Sequence, residues 1–251
     1  MVEMRITILG SGIATPLIYR NMSGYLLEAD RKKILFDSGA GIIKQLFKLK
    51  VNLLGINHIF YTHFHTDHIN DLPAIIFSNN YGNYRKKALN LYGPVGFKRY
   101  YNILMKKILK IKLKYDIKVK EMKNNSLINL NNLTIKSIKV KHSIKNSISY
   151  RVDYNNKSIV YGGDTDYCNN IIKISKNADL LILECSTPNN KKIKGHLTPS
   201  LCGKIATKAK AKKLVLTHFY PEYDVTDMKK QCSKEFKGKI ILAKDLMKIK
   251  I

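Results

Sequence analysis

Three histidines and an aspartate fall within six residues, His63-Phe64-His65-Thr66-Asp67-His68. His63 and His65 alternate by two, so an extended backbone aims both imidazoles the same way. Asp67 and His68 follow as the chain turns into a helix and can face a second point in space. Imidazole is the commonest protein ligand for borderline metals, and three imidazoles with a carboxylate in one turn cannot all be buried cheaply without a cation. His142, His196 and His218 also lie at or just past the ends of strand-like runs. Six of the 7 histidines therefore sit where a fold gathers ligands rather than where it fills a core.

The elements that must position them are short and regular. Runs bounded by turn residues predict strands at Met4–Leu9, Tyr25–Glu28, Lys33–Phe36, His58–Tyr61, Leu89–Tyr92, Leu133–Val140, Ile148–Asp153, Lys157–Tyr161, Leu180–Glu184, Lys213–Thr217 and Ile240–Leu242. Helical spacing predicts helices at Ile42–Lys50, Asp71–Phe77, Lys98–Leu113, Asn169–Lys176, Pro199–Lys208 and Thr226–Phe236. Thr198 before Pro199 reads as an N-cap followed by proline at the first helical position. No long linker or low-complexity tract interrupts residues 1–251, which predicts one α/β domain of two similar sheet-and-helix halves.

Composition narrows the function classes. With 251 residues and 45% hydrophobic residues there is ample material for a core. No apolar run is long enough for a membrane span, and the charged N-terminal run Met1-Val2-Glu3-Met4-Arg5 lacks the apolar stretch of a secretory signal; the expectation is a cytoplasmic protein. Cys168, Cys185, Cys202 and Cys232 are widely spaced with no C-x-x-C pair, which argues for free thiols. Lys and Arg number 45 against 18 Asp and Glu, a formal charge of +27, and such a field favours polyanionic partners, nucleic acid above all.

The cluster matches at every specified position the H-x-H-x-D-H motif of the metallo-β-lactamase superfamily, and the chain resembles that superfamily along essentially its whole length. The resemblance implies a four-layer αββα sandwich and two divalent metal ions, zinc with manganese or iron left open. By it, His63, His65 and His142 hold one metal, Asp67, His68 and His218 hold the other, and Asp164 in Gly162-Gly163-Asp164-Thr165 bridges them. Asp37 in Phe36-Asp37-Ser38-Gly39 supports the ligands from behind.

Within the superfamily the chain most resembles ribonuclease Z, the tRNA 3′-processing endonuclease. Thr15-Pro16-Leu17-Ile18-Tyr19-Arg20-Asn21 is similar to its P-x-K-x-R-N loop, with Ile18 at the basic position, and implies substrate contacts from Arg20 and Asn21. Leu91-Tyr92-Gly93-Pro94-Val95-Gly96 resembles the segment that follows the first metal motif. Glu184-Cys185-Ser186 followed by Gly195-His196-Leu197-Thr198 resembles the pair in which a glutamate orients a histidine that is not a ligand. His196 would then serve the leaving oxygen while Asp67 positions the attacking group. The implied substrate is pre-tRNA, and the implied assembly is a homodimer.

One departure bears on substrate. Between His142 and Asp164 there is room for a strand hairpin and no more, whereas the family's short form inserts there an arm that grips tRNA. The same site could instead serve small phosphodiesters of the cyclic-nucleotide type, or esters and thioesters. A redox di-iron protein of this fold would carry a glutamate where His65 stands, and a catalytically dead nucleic-acid-binding module would have lost part of the ligand set. The lysines of Lys98–Lys123, with Tyr100 and Tyr101 among them, read either as a solvated helix face or as a phosphate-tracking surface with rings to stack on bases.

Overall fold

The computed structural model describes residues 3–15, 17–81 and 85–251, so Met1, Val2 and Pro16 of the segments above lie outside it. The first sheet starts as three strands of alternating direction, β1 (Arg5–Gly10), β2 (Gly24–Ala29) and β3 (Lys32–Ser38). It continues with β4 (Ile56–Phe60), β5 (Leu89–Pro94) and β6 (Ile117–Met122), all parallel to β3. Parallel neighbours need crossovers, which contain α1 (Ile42–Lys48), α2 (Thr66–Ile69), α3 (Leu72–Asn80) and α4 (Phe97–Ile103).

The second sheet repeats the plan. A meander of β7 (Leu127–Leu130), β8 (Leu133–Lys139), β9 (Ile148–Tyr154) and β10 (Lys157–Tyr161) is followed by β11 (Leu180–Glu184), β12 (Lys213–Thr217) and β13 (Lys239–Leu242), parallel to β10. Its crossovers carry α5 (Asn169–Ile174), α6 (Pro199–Lys208) and α7 (Val225–Ser233). A last strand, β14 (Lys248–Lys250), returns to pair antiparallel with β1, so each sheet has seven strands.

β11 (LLILE) is buried at every residue, as a central parallel strand covered on both faces should be. One hydrophobic cluster joins the facing surfaces of the two sheets and continues under α5, α6 and α7. A second fills the space between the first sheet and α1, α3 and α4. The layers are thus helices, sheet, sheet, helices. Three tyrosines tie the sheets together beneath one end of the sandwich. Tyr150 donates to the Tyr61 carbonyl at 2.8 Å, Tyr161 donates to Asp37 Oδ2 at 2.6 Å, and Tyr25 pairs with Thr217 Oγ1 at 2.8 Å. All three rings are buried, and each such bond is worth about 1 kcal/mol when made and more when left unmade.

Three expectations need correction. The helix read over Lys98–Leu113 ends at Ile103, becomes a π-helical turn at Leu104–Leu109, and stops at Lys110 in the left-handed region (φ +48°). The residues after it form β6, in which Lys118 and Lys120 alternate outward with period two. Tyr100 and Tyr101 are half-buried against the outer cluster, and Tyr100 stacks on Phe64 at 5.6 Å, so these rings do not stand open for bases. Thr198 does occupy the N-cap of α6 with Pro199 after it, but its hydroxyl makes no capping bond.

Candidate metal centre

Within each sheet the strands that contribute to the site run the same way, and each gives its residue at or beyond its C-terminal end. Asp37 comes from β3, His63 and His65 from the turn between β4 and α2, Asp67 and His68 from α2 itself, and His142 from the loop after β8. Asp164 follows β10, Glu184 ends β11 and His218 follows β12. Asp37 and His218 take left-handed backbone (φ +55° and +60°), which costs a non-glycine residue free energy and persists where packing fixes it.

The predicted ligands converge as two groups. His63, His65, His142 and Asp164 lie within bonding reach of one point, and Asp67, His68 and His218 of another. Asp164 stands between them, with Oδ2 3.3 Å from His218 Nε2, 3.8 Å from His63 Nε2 and 3.9 Å from His142 Nε2, and Oδ1 3.3 Å from His68 Nε2.

Two observations test whether the residues fit a metal. His65 Nδ1 is 3.0 Å from His63 Nε2 and 3.2 Å from His142 Nε2. Three ring nitrogens crowd together that protons alone cannot all satisfy. In addition, buried His68 Nε2 and Asp164 Oδ1 face one another without hydrogen-bond geometry, and neither makes a hydrogen bond to any described residue. A divalent cation is the species that imidazole and carboxylate donors in this arrangement suit.

Behind these atoms lies a second layer. Asp37, fully buried, accepts from His68 Nδ1, Thr62 N, Thr62 Oγ1 and Tyr161 OH at 2.6–2.8 Å. That carboxylate fixes the His68 ring and leaves its Nε2 free to point into the site. His63 Nδ1 is held by Thr62 Oγ1 at 3.0 Å, His142 Nδ1 by the Gly195 carbonyl at 2.9 Å, and His218 Nδ1 by Ser186 Oγ at 3.1 Å.

The charges follow. Burial opposes ionisation of Asp164, but His218 and His68 outweigh it and hold the carboxyl well below the usual range. Burial likewise opposes ionisation of Asp67, and the His218 hydrogen bond with the charges of His68 and His218 brings it down to about 2. Both groups are anionic at neutral pH.

His196 is built differently. Its Nδ1 lies 3.0 Å from Glu184 Oε1, and Glu184 also accepts from Ser186 Oγ at 2.6 Å and Thr165 N at 3.2 Å. Burial disfavours the imidazolium, yet the hydrogen bond and charge of Glu184, with Asp164 behind, push it up to about 9. His196 also falls within ligand distance of Asp164 and His218. Its Nδ1 is committed to Glu184, so the ring nitrogen left for another partner is Nε2. His58, the remaining histidine, is elsewhere: its ring stacks on Tyr92 and burial brings it down to about 4.

Ser186 and Gly195 take roles that their residue types do not announce. Ser186 sits two residues after Glu184 in extended backbone, the spacing that places both on one side, and its hydroxyl contacts Glu184, His218 and His196. Arg20 and Asn21 lie near the site, but the hydrogen bonds of their side chains run inward. Arg20 Nη1 donates to Ser11 Oγ and to the Ala243 carbonyl, and its guanidinium lies 4.8 Å from the Phe219 ring. Asn21 donates twice to Asp245. These bonds anchor a loop whose tip exposes Ile18 and Tyr19.

The motif Phe36-Asp37-Ser38-Gly39 ends in glycine for a steric reason. A Cβ on Gly39 would stand 2.0 Å from the Asp67 carbonyl oxygen. Gly39→Ala is therefore expected to push α2 away from β3, lowering stability by about 1–3 kcal/mol and metal content with it. Thermal unfolding and elemental analysis of the variant check this.

Residues 4–239 match the family described as Anti-Pycsar protein Apyc1. The chain belongs to that family. Ribonuclease Z of Methanosarcina acetivorans is 27% identical over 303 positions covering 99% of this chain and 98% of the relative, and ribonuclease Z of Borrelia duttonii is 29% identical over 99% and 97%. Among solved structures, the metallo-β-lactamase fold protein YhfI from Bacillus subtilis superposes with a TM-score of 0.87 at 25% identity over 100% of both chains. Human tRNase Z, short form, superposes with a TM-score of 0.80 at 26% identity over 98% of each. The metallo-β-lactamase fold and the ribonuclease Z relationship expected from the motifs hold at the scale of the whole chain. The Apyc1 family description is a name the motifs did not supply.

Proposed function

We propose that the chain is a dinuclear metal-dependent phosphodiesterase of the ribonuclease Z type that processes tRNA 3′ ends. The observation that carries it is the convergence of two ligand groups on Asp164 beside a Glu184–His196 pair whose imidazole is pushed up to about 9. Two divalent cations held by these groups would polarise a phosphodiester and activate water at neutral pH. The nitrogen-rich donor set favours zinc over magnesium or calcium.

The chain's own residues divide the remaining work. Asp67, anionic and fixed by His218, orients the attacking water. His196, its Nδ1–H donated to Glu184, presents Nε2–H and passes that proton to the leaving oxygen. Asp37 and Ser186 keep the rings of His68 and His218 from rotating. Arg20 and Asn21 hold the loop that meets substrate.

The reading includes a cytoplasmic homodimer. Its four cysteines are all free, as a reducing compartment favours, and no helix among the described residues is long and apolar enough to cross a membrane. Phe47, Phe77, Ile103 and Ile108 expose large apolar surface on the helices outside the first sheet, the area such a dimer would cover.

One observation favours a second reading, hydrolysis of small phosphodiesters of the cyclic-nucleotide type. The interval from His142 to Asp164 is filled by the β9–β10 hairpin, with no projecting arm. The match to the Methanosarcina relative spans 303 positions against 251 residues here, so that protein carries residues this chain lacks. Incubation with a 3′-extended pre-tRNA and mapping of the product end separates the two. Cleavage next to the discriminator base is the expected result. Intact pre-tRNA alongside rapid opening of a cyclic nucleotide would favour the second reading.

A further inference from the structure

Immediately beside His142 the loop after β8 opens into a cleft of about 470 Å³. Lys139, Lys141 and Lys145 line it together with His142, Cys168 and Asn170. No carboxylate lines it, and among the described residues none of these three lysines forms an ion pair, whereas Lys192 nearby is paired with Asp166 at 3.1 Å. All three are exposed. The walls are fixed: Asn170 Nδ2 donates to the Lys139 carbonyl at 2.8 Å, and Lys141 bridges to Asp166 across the loop. At the other end of α5 a second cleft, of about 480 Å³, presents Lys136 and Lys173.

An open cationic cleft that abuts a candidate metal ligand is matched to an anion longer than one phosphate. We infer that this cleft is a backbone subsite, in which Lys139, Lys141 and Lys145 hold phosphates of a polynucleotide strand whose scissile phosphate lies at the metal centre. The strand then leaves along α5 toward Lys136 and Lys173. A small diester fills the centre alone and leaves the cleft empty, so the lysines distinguish chain substrates from small ones. Lysines in such a track position the strand without reading its sequence. The inference rests on the phosphodiesterase reading above and assigns the path its polymeric substrate takes.

The test compares the wild-type protein with Lys139→Ala/Lys141→Ala/Lys145→Ala and with the corresponding triple Arg variant, which keeps the charge. Two readouts are taken: binding of a single-stranded oligoribonucleotide by fluorescence anisotropy across a salt series, and hydrolysis of bis(p-nitrophenyl) phosphate. The Ala variant is expected to bind the oligonucleotide about 10- to 100-fold more weakly near 0.1 M salt, with a log–log salt slope flatter by up to about two units. Its kcat/KM for the small diester should stay within about threefold of wild type, and the Arg variant should bind like wild type. Unchanged affinity and slope in the Ala variant would overturn the inference. So would a wild-type protein that hydrolyses the small diester but binds no oligonucleotide, an outcome that leaves the phosphodiesterase reading standing. Absence of hydrolysis in the wild type with two metals bound would instead overturn the underlying reading.

Discussion

Protein purified without chelator is expected to carry close to two equivalents of divalent metal, and Asp164→Asn to retain one or none. Asp164 is the residue on which both candidate ligand groups close, its carboxylate within 3.3–3.9 Å of the imidazoles of His63, His68, His142 and His218. It is also a buried carboxylate that can offset cationic charge in both groups at once. Asn keeps the volume and one oxygen but removes the charge, so folding should survive, which thermal unfolding checks. Loss of one cation removes several kcal/mol of transition-state stabilisation, and at about 1.36 kcal/mol per decade that is a fall of roughly 10³-fold or more in turnover. Elemental analysis showing no zinc, manganese or iron in the wild type would sink the metal centre. Two full equivalents in the variant would remove Asp164 from its bridging position.

Replacing His196 by Ala should lower turnover by about 10²–10⁴, the span for a positioned acid–base group, with metal content unchanged. The reason is the Glu184 contact, which occupies Nδ1 and leaves Nε2 to act on substrate. Parallel loss of metal would place His196 among the ligands, as its distance to Asp164 and His218 permits. Glu184→Gln gives a second readout. Glu184 raises the imidazole, held at about 9, so removing its charge lowers that value. A general acid works below its pKa, and the alkaline limb of the pH–turnover profile should therefore move to lower pH. An alkaline limb that stays in place would argue against His196 as the proton donor.

The site was legible to unequal depths. The first four candidate ligands are legible as residue types at fixed local spacing, because a turn that follows a strand and runs into a helix brings His63, His65, Asp67 and His68 together wherever the rest of the chain goes. Asp37, His142, Asp164 and His218 were legible through motif resemblance and their place after strands. Ser186 and the Gly195 carbonyl were not, since a hydroxyl and a backbone oxygen carry no signal until the fold sets them 2.9–3.1 Å from a ring nitrogen. The inward hydrogen bonds of Arg20 and Asn21 carried no sequence signal, because their partners Ser11, Ala243 and Asp245 include residues from the far end of the chain.

The strand–helix alternation, the candidate ligand histidines, the absence of room for an arm and the excess of positive charge were all legible in the residues alone, because each is a local or additive property. Tertiary structure decided the rest. β7 and β14, of four and three residues, are edge strands formed by pairing with β8 and β1 rather than by a strong pattern of their own, while β6 alternates with period two and becomes an edge strand by pairing with β5. Which lysines matter was decided in the same way. Those of Lys98–Lys123 are spread over a helix, a π turn and an edge strand, while Lys139, Lys141 and Lys145 gather beside His142. Charge is a property of composition, but a field strong enough to hold a strand depends on distance, and only the fold sets distance.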